Sequence, residues 1–314
     1  MTSLGKPTLL HFGILAVLAA LFFILPVYHA GAFSRIMVLA IYAMGFNLLF
    51  GYTGLLSLGH AMFFGAGMYG FGLAIKFLGA PVPLAFVVAI GASALLGVVV
   101  GFLALRTVGV AFMIVTLMFA QTAYLVVLYF GEFTRGDEGF VLQQAERLVF
   151  GLDVTSEMGR YFTAFTLFAV CFLGLAKLVQ TPFGKRLVAI RENEERARML
   201  GYDAGRYKLL ALIVSATVSG IAGASYALLF GYVGATFATV QYSILPLLWV
   251  LLGGAGTTIG PLIGVIFMFY LIDASSAYTN AYMLIAGVVL IILTVFAPKG
   301  LAGILRTKVM PWLP

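Results

Sequence analysis

Few side chains in this sequence are of types that do chemistry. The histidines His11, His29 and His60 are scattered, and none has a second ligand at helical spacing, so we expect no metal site. The single cysteine, Cys171, lies in an apolar run, which excludes a disulfide within the chain and a cysteine metal cluster. No phosphate-binding Gly-x-x-x-x-Gly-Lys-Ser/Thr motif and no nucleophile–base pair within an apolar run is found. The sequence therefore predicts no catalytic, cofactor-binding or metal-binding residues, which argues against an intramembrane enzyme.

Composition assigns the chain to the membrane. Of its 314 residues, 63% are hydrophobic and 9% are charged, whereas a soluble domain is about half apolar and about a quarter charged. A soluble protein of this size could not hide so much apolar surface. The net charge of +7 would suggest nucleic acid as a partner of a soluble protein. Here the basic residues lie between apolar runs, so membrane topology explains them and no nucleic-acid partner is expected.

Apolar stretches of about 20 residues, the length of a membrane-spanning helix, follow one another along the chain. They predict an all-α polytopic bundle of about 8–10 spans in a single transmembrane domain, residues 1–314. The stretches are Leu9–Tyr28, Phe33–Phe50, His60–Leu78, Val82–Leu105, Val110–Phe130, Tyr161–Gln180, Tyr207–Gly231 and Tyr278–Pro298, with a glycine-interrupted run at Val240–Ile272.

The first stretch has an alternative interpretation. Lys6 precedes the apolar run, and Ala30-Gly31-Ala32 has the small residues of a cleavage site, as in a removable signal peptide. The run is also long enough to span, and a retained first helix is the simpler interpretation.

Charge asymmetry predicts the orientation of the bundle. By the positive-inside rule, a basic segment at residues 181–206 and a basic C-terminus should both be cytoplasmic, as should the N-terminus, while the acidic loop at residues 131–160 should lie outside. The basic residues are Lys185, Arg186, Arg191, Arg196, Arg198, Arg206 and Lys208, then Lys299, Arg306 and Lys308; the loop carries Glu132, Asp137, Glu138, Glu146, Asp153 and Glu157 against Arg135, Arg147 and Arg160.

This orientation constrains the interrupted run Val240–Ile272. An even number of crossings must separate the two basic segments, so the run must enter the membrane and return. Split into two helices, its residues give arms of roughly 25 Å each. We therefore predict two short helices hinged near Gly253–Pro261.

Two glycine-rich breaks are the candidate translocation path. Unwound backbone at membrane depth is tolerated only where protein buries it or where it lines a wet cavity, and broken segments in both halves of a transporter point to its path. Tight turns and close helix packing explain such breaks equally well. The candidate residues are Gly51, Thr53, Gly54, Ser57, Gly59 and His60 in the first break, and Gly253, Gly254, Gly256, Thr257 and Gly260 in the second.

Three further polar residues lie in or near apolar runs. Asn47 and Gln121 must each find a hydrogen-bond partner there, and we expect another helix to supply it. Asp273 either faces a pore or caps a turn near the membrane interface.

The segment Pro182–Gly201 is the most informative part of the sequence. A proline suits its start and a glycine its end, so we predict one short amphipathic helix on the cytoplasmic side. Its apolar anchors, Leu187, Ile190, Met199 and Leu200, alternate with charges of both signs. Mixed charge favours docking into a protein groove over lying on anionic lipid, although a solvated linker helix remains the alternative. The candidate docking residues are Arg191, Glu192, Asn193, Glu194, Glu195, Arg196 and Gly201.

This segment resembles the coupling helix of branched-chain amino-acid ABC transporter permeases of the LivM type. The resemblance runs through nearly the whole chain, since four further stretches also look like that family. They are Gly51–Gly70, Arg106–Leu117, Leu251–Pro261 and Ala297–Gly303. The chain departs from the family at Thr134–Gly139, where the family more often has Gly-Gly-Ser-Asp-Gly; the bulkier, more charged run here leaves the substrate open.

The resemblance implies a multi-pass permease of the bacterial inner membrane. Its expected partners are a second related permease, two cytoplasmic ATP-binding subunits that hydrolyse ATP, an extracytoplasmic substrate-binding protein and membrane lipid. The cargo would be a branched-chain or related small amino acid, with urea, short amides or aromatic acids as alternatives. A stand-alone secondary transporter or channel is a second alternative, but the intramembrane ionisable residues that it would need are scarce.

Overall fold

The structure, a computed structural model, describes residues 5–149, 151–279, 281–296 and 300–303. The described residues form the helices α1 (Gly5–Ile24), α2 (Val27–Asn47), α3 (His60–Leu78), α4 (Val82–Ala104), α5 (Val110–Tyr129), α6 (Gly131–Thr134), α7 (Glu157–Gln180), α8 (Pro182–Glu192), α9 (Glu194–Met199), α10 (Ala204–Phe230), α11 (Val240–Gly253), α12 (Gly260–Ser276) and α13 (Tyr282–Phe296). The predicted all-α bundle is confirmed.

Six helices in the described part of the chain are long and apolar enough to cross a membrane. They are α2, extended to Tyr52 by a π-helical turn (Leu48–Tyr52), and α3, α4, α5, α7 and α10. The apolar part of α1 (Thr8–Ile24) and the helices α11, α12 and α13 are shorter. The chain is therefore a multi-pass membrane protein. We call the end of the bundle that carries residues 131–160 the outer end, and the end that carries α8 and α9 the coupling end.

Helix α2 is the centre of the bundle. It packs against α7, α10, α11 and α12. Of its most apolar 18 residues, 89% are buried, compared with 17% for α5. Helices α3 and α10 form the second layer of the core, and α10 also packs on α4. The apolar surface of α4, α5 and α7 is left largely open, as suits contact with lipid or another subunit.

The second interrupted run forms the predicted pair of short helices. Helix α11 ends at Gly253 and α12 begins at Gly260. At its far end α12 is fastened to the start of α2, where the Tyr28 hydroxyl donates to Asp273 Oδ1 at 2.6 Å and His29 Nδ1 lies 3.1 Å from the Tyr270 hydroxyl. The hinge thus lies at the coupling end, and the prediction of a re-entrant pair is confirmed. Asp273 fastens helices at the outer end.

The loop at residues 131–160 is folded rather than extended. It contains α6, a 3₁₀ turn (Gln144–Arg147) and the hairpin of β2 (Leu148–Val149) with β3 (Leu152–Asp153). Strand β1 (Phe140–Val141) pairs antiparallel with β4 (Tyr232–Val233), with Phe140 opposite Val233. The loop is therefore joined to the segment that follows α10. Lys299, Arg306 and Lys308 lie outside the described residues, so the orientation drawn from them remains a prediction.

Close contact between α3 and α10 depends on glycine. A Cβ atom on Gly67 would lie 2.1 Å from the carbonyl oxygen of Gly220 and would clash with it. A Cβ atom on Gly223 would clash in the same way with the carbonyl oxygen of Phe64, at 2.0 Å. Small residues let two helix backbones approach this closely and gain dispersion contacts in lipid. The α3–α10 pair is thus set by backbone packing.

This packing generates a stability prediction. Gly67→Ala should destabilise the bundle by about 1–3 kcal/mol because backbone atoms of α10 must move, measured as a lower melting temperature in detergent. Gly91→Ala in α4 is the matched control, because nothing lies within 4 Å of its Cβ position and alanine is the better helix former. Equal melting temperatures for the two variants would contradict the assignment.

Candidate functional site

The first glycine break begins where α2 loses its regular hydrogen bonding. After the π-helical turn, the Thr53 hydroxyl donates to the carbonyl oxygen of Leu48 at 3.0 Å. Gly54 then adopts a left-handed conformation with φ +78°, and the N–H of Leu58 donates to the Thr116 hydroxyl at 3.2 Å. Unwound backbone here is satisfied by protein groups, so the break is an ordered structure.

The break returns the chain toward the middle of the bundle. His60, the first residue of α3, has Nε2 at 2.8 Å from Ser215 Oγ, and the Ser215 hydroxyl donates to the carbonyl oxygen of Gly45 at 2.5 Å. Gly45 lies roughly 10 Å before Tyr52 along the helix axis. Next to it, the N–H of Ala61 donates to Ser243 Oγ at 2.9 Å. Helices α3 and α11 therefore both begin partway across the bundle, beside each other.

The second break is held against α2 by one side chain, Asn47. Its Oδ1 accepts from the N–H of Gly256 at 2.9 Å, and its Nδ2 donates to the carbonyl oxygen of Thr257 at 2.9 Å. The hinge has the left-handed glycines Gly254 (φ +118°) and Gly256 (φ +75°). Asn47 thus finds its partners in another part of the bundle, but in a non-helical segment, whereas the sequence predicts them on another helix.

The two breaks touch where α8 meets them. A Cβ atom on Gly51 would lie 2.4 Å from the backbone nitrogen of Gly256 and would clash with it. The atom nearest to a Cβ on Gly256 would be Nη1 of Arg191, at 2.9 Å. The same Nη1 donates to the carbonyl oxygen of Gly51, and the Arg191 side chain also covers Gly54. One arginine at the end of α8 therefore contacts both breaks.

The remaining predicted path residues are mostly enclosed. The hydroxyls of Thr53, Ser57 and Thr257 are buried and are used within the turns; the Ser57 hydroxyl accepts from the N–H of Gly59 at 3.2 Å, and the Thr257 hydroxyl donates to the carbonyl oxygen of Gly254 at 2.8 Å. Of the eleven path candidates, Gly54 is exposed and Gly256 half-buried; those buried are Gly51, Thr53, Ser57, Gly59, His60, Gly253, Gly254, Thr257 and Gly260. That these residues line a path remains a prediction.

The segment Pro182–Gly201, which we call the coupling segment, forms a pair of helices, α8 and α9, rather than one helix. Asn193 is extended between α8 and α9, and its Oδ1 accepts from the N–H of Arg196 at 2.8 Å, which caps the second helix. Asparagine favours such caps over helix interiors. Leu187 and Ile190 are buried as expected for anchors, whereas Met199 and Leu200 are 84% and 70% exposed. The predicted single helix and the two C-terminal anchors are thus corrected.

The end of the segment follows the sequence-based prediction. Gly201 adopts φ +84°, and its N–H donates to the carbonyl oxygen of Arg198 at 2.9 Å. This left-handed residue after α9 is the glycine cap expected at a helix C-terminus.

The charged candidates of the segment divide into internal and exposed groups. Glu194 accepts from Arg198 at 2.7 Å and from Lys208 of α10 at 2.5 Å. Burial opposes ionisation of Glu194, but the bonds to Lys208 and Arg198 outweigh it and lower the pKa of its carboxyl. This tether is therefore present at neutral pH and is lost only as the pH falls through that lowered value. Glu192, Glu195 and Arg196 are exposed.

Arg35, which lies in α2, was not among the predicted site residues. An arginine two residues inside the predicted span Phe33–Phe50 was the available signal, since an ionisable residue within a span marks function by default. The three histidines lie apart: His11 contacts Thr258, His29 contacts Tyr270 and His60 contacts Ser215.

The structure is thus a multi-pass helical bundle in which the central helix is broken at glycines, a pair of short helices packs on that break, and α8 contacts both breaks. The chain belongs to the family described as the branched-chain amino acid transport system permease component, whose model matches residues 28–295. It is 28% identical over 299 residues to the high-affinity branched-chain amino acid transport system permease protein LivM of Salmonella typhimurium, covering 87% of this chain and 69% of that protein.

Two further relatives agree with this assignment. The LivM protein of Escherichia coli is equally similar, at 28% identity over 87% of this chain and 69% of that protein. A probable LivM permease of Methanocaldococcus jannaschii is 33% identical over 30% of this chain and 28% of that protein. No solved structure matches the chain.

The Asn47 bridge leads to a test of the site. Asn47→Leu should lower the free energy of unfolding by roughly 2–4 kcal/mol, because two backbone groups at the hinge lose their partners. The measurement is thermal melting in detergent. Thr166→Val is the control, since the Thr166 hydroxyl donates only to its own helix, at an exposed site. If Asn47→Leu melted with the control, the bridge would not hold the hinge.

Proposed function

We propose that this chain is a permease subunit of an ATP-driven importer in the bacterial inner membrane. It forms half of a translocation path together with a second related permease, and both termini lie in the cytoplasm. Two ATP-binding subunits dock on the coupling segments, and a binding protein delivers cargo to the outer end. The chain itself binds no cofactor. The observation that carries this proposal is the contact of Arg191 with both glycine breaks.

The coupling segment offers a surface suited to a protein partner. Exposed Met199 and Leu200 lie near the exposed charges of Glu192, Glu195 and Arg196. An apolar centre with a charged rim is typical of protein interfaces, and carboxylates on the rim argue against anionic lipid. The other face is fixed to the bundle through Leu187 and Ile190, so a partner that moves α8 also moves what α8 holds.

Arg191 supplies the mechanical step between docking and path. Displacement of α8 would pull the Arg191 guanidinium away from the Gly51 carbonyl oxygen. That oxygen would then lose its charged hydrogen-bond donor. Because Gly51 also abuts Gly256, the hinge of α11 and α12 would have to adjust at the same time. ATP binding can shift the access state only if the ATPase subunit binds the two arrangements of the breaks with different affinity. The Arg191 contact links each arrangement to a position of α8, on which the ATPase would dock, and so supplies that difference.

The cargo follows from the relatives. Those described as high-affinity permeases carry branched-chain amino acids by name, and we propose the same class here, with urea, short amides and aromatic acids as the alternatives. The experiment is uptake of radiolabelled leucine into proteoliposomes that contain both permeases and both ATPase subunits, with the binding protein outside. ATP-dependent uptake supports the proposal; gradient-driven uptake by the chain alone would replace it with a secondary transporter.

The docking surface makes a charge-specific prediction. Glu192→Gln with Glu195→Gln should weaken ATPase co-purification about ten-fold, since each exposed interfacial charge contributes up to roughly 1 kcal/mol. Glu132→Gln with Glu157→Gln, on the outer loop, removes the same charge and should leave co-purification unchanged. Equal retention of the ATPase in both double variants would make the segment a linker.

Glu194 should behave differently from its two neighbours. Glu194→Gln removes the tether to Lys208 and should speed amide hydrogen exchange in α9 while the outward charges remain. The measurement is hydrogen–deuterium exchange of peptides that cover residues 194–199. Unchanged exchange would show that the tether contributes nothing to the order of α9.

Replacement of Arg191 should separate docking from transport. Arg191→Gln should preserve ATPase binding but lower the leucine moved per ATP about ten-fold or more, because the charged bond to Gly51 is lost. Lys185→Gln, on the exposed face of the same helix, is the charge-matched control and should keep the ratio of the unmodified chain. Full coupling in Arg191→Gln would contradict the proposed transmission.

A further inference from the structure

Three arginines surround the last residue of α10, Phe230, at the outer end of the bundle. The Cζ atom of Arg35, from α2, lies 5.2 Å from the centre of the Phe230 ring. The Cζ atom of Arg160, from the first turn of α7, lies 5.9 Å from it. The Nη1 atom of Arg147 donates to the carbonyl oxygens of Leu228 and Leu229 at 3.3 and 3.4 Å. Three separate segments thus bring positive charge to one point.

No carboxylate forms an ion pair with these three arginines among the described residues. The ion pairs found in the described residues, Arg198–Glu194, Arg206–Asp203 and Lys208–Glu194, all lie at the coupling end. Burial and the charge of Arg160 lower the pKa of the Arg147 guanidinium, while the charges of Asp153 and Glu146 raise it. This cluster of three guanidinium groups thus lies around Phe230 without an ion-pair partner in the described residues.

Donors remain free within it. A guanidinium has five N–H donors. The Nη2 atom of Arg160 donates to the carbonyl oxygen of Thr155 at 2.9 Å, but its buried Nε has no partner. The Arg35 guanidinium makes ring contact only, as far as the described residues show. Arg147 has a sufficient structural role as the cap of α10; the fork of Arg160 is used only through Nη2, and Arg35 has only its ring contact among the described residues.

The cluster is open from outside the bundle. Residues 36–49 of α2 are all buried, whereas Arg35 is exposed. One turn earlier on the same face, nothing lies within 4 Å of the Cβ position of Gly31. The start of α2 is therefore accessible from outside the bundle at this point. An aromatic wall lies beside it, since Arg35 contacts the Phe230 ring and the Tyr226 ring lies 4.7 Å from both Phe230 and Phe237.

Topology does not account for these arginines. Under the proposed orientation they lie on the side of the membrane where the positive-inside rule disfavours arginine. Like charges gathered around one ring also repel one another, so ring contact alone is a poor reason for three of them. An anion bound between the forks resolves both points.

We propose that Arg35 and Arg160, aided by the charge of Arg147, form an oxyanion site that receives the carboxylate of the cargo at the outer end. Arginine forks match a carboxylate with two parallel hydrogen bonds, and the aromatic wall suits an apolar side chain on the same ligand. This inference rests on the proposed function, because it takes the cargo to be a zwitterionic amino acid. A lipid phosphate has the same oxyanion chemistry and is the competing occupant.

The experiment uses a single reporter cysteine in the assembled transporter. Gly31→Cys is placed in a Cys171→Ala background, which leaves one thiol in the chain and keeps all three arginines. The reaction rates of a sulfonate-bearing and a trimethylammonium-bearing methanethiosulfonate are measured, each relative to its rate with free mercaptoethanol. We expect the anionic reagent to be favoured, and Arg35→Gln or Arg160→Gln to reduce that preference on the order of five-fold.

Controls separate the site from general surface charge. Arg135→Gln removes a positive charge from the same outer loop and should leave the preference unchanged. Arg35→Lys keeps the charge but not the fork, so it should retain the preference and lose ligand protection. Millimolar leucine should slow the anionic reagent, while leucinamide, which lacks the carboxylate, should not.

Each contrary result overturns the proposal. A rate ratio at or below one in the unmodified cluster would mean that a lipid phosphate already occupies it. Failure of leucine to protect, or equal protection by leucinamide, would exclude carboxylate recognition. The labelling does not depend on ATP, so absence of ATP-driven uptake together with carboxylate-specific protection would refute the importer and leave the site standing.

Discussion

Two hydrogen bonds of the Asn47 amide, one donated and one accepted, join the two glycine breaks. They connect the last residue of regular α2 to the hinge between α11 and α12. Unwound backbone at membrane depth is stable only where protein groups satisfy it, so the hinge depends on this side chain. The first break and the hinge therefore fix each other's position.

Glycine sets the precision of this junction, and Arg191 makes it responsive. A side chain at Gly51 or Gly256 would separate the breaks, so the two backbones meet directly between these glycines. Arg191 adds a single charged donor from outside the pair. Closely packed backbone has few alternative arrangements. Under the proposed function, a small shift of the Arg191 guanidinium would favour one arrangement of the breaks over another.

The fold was largely predictable from hydropathy and charge, because lipid leaves only helices as spanning elements for apolar runs of this length. Parity placed the hinge between α11 and α12, and a polar residue in a span indicated that Asn47 bonds to another segment of the bundle. The contact between the two breaks was not predictable, since they are about 200 residues apart in sequence and no periodicity links them. The interruption at Asn193 was missed because the charge pattern continues through a residue that caps instead of extending the helix.

Helix α2 connects the two ends of the molecule physically. Arg35 and Asn47 lie 12 residues apart on it, about 18 Å along one continuous axis, and the helix between them is wholly buried. A buried helix with packed neighbours on every side moves as a rigid unit more readily than it bends. Binding of an anion at Arg35 would therefore shift α2 as a whole and so move Asn47. Coupling between two sites requires that each ligand favour one arrangement of a shared element, and α2 is the element that the outer end and the coupling end of the bundle share.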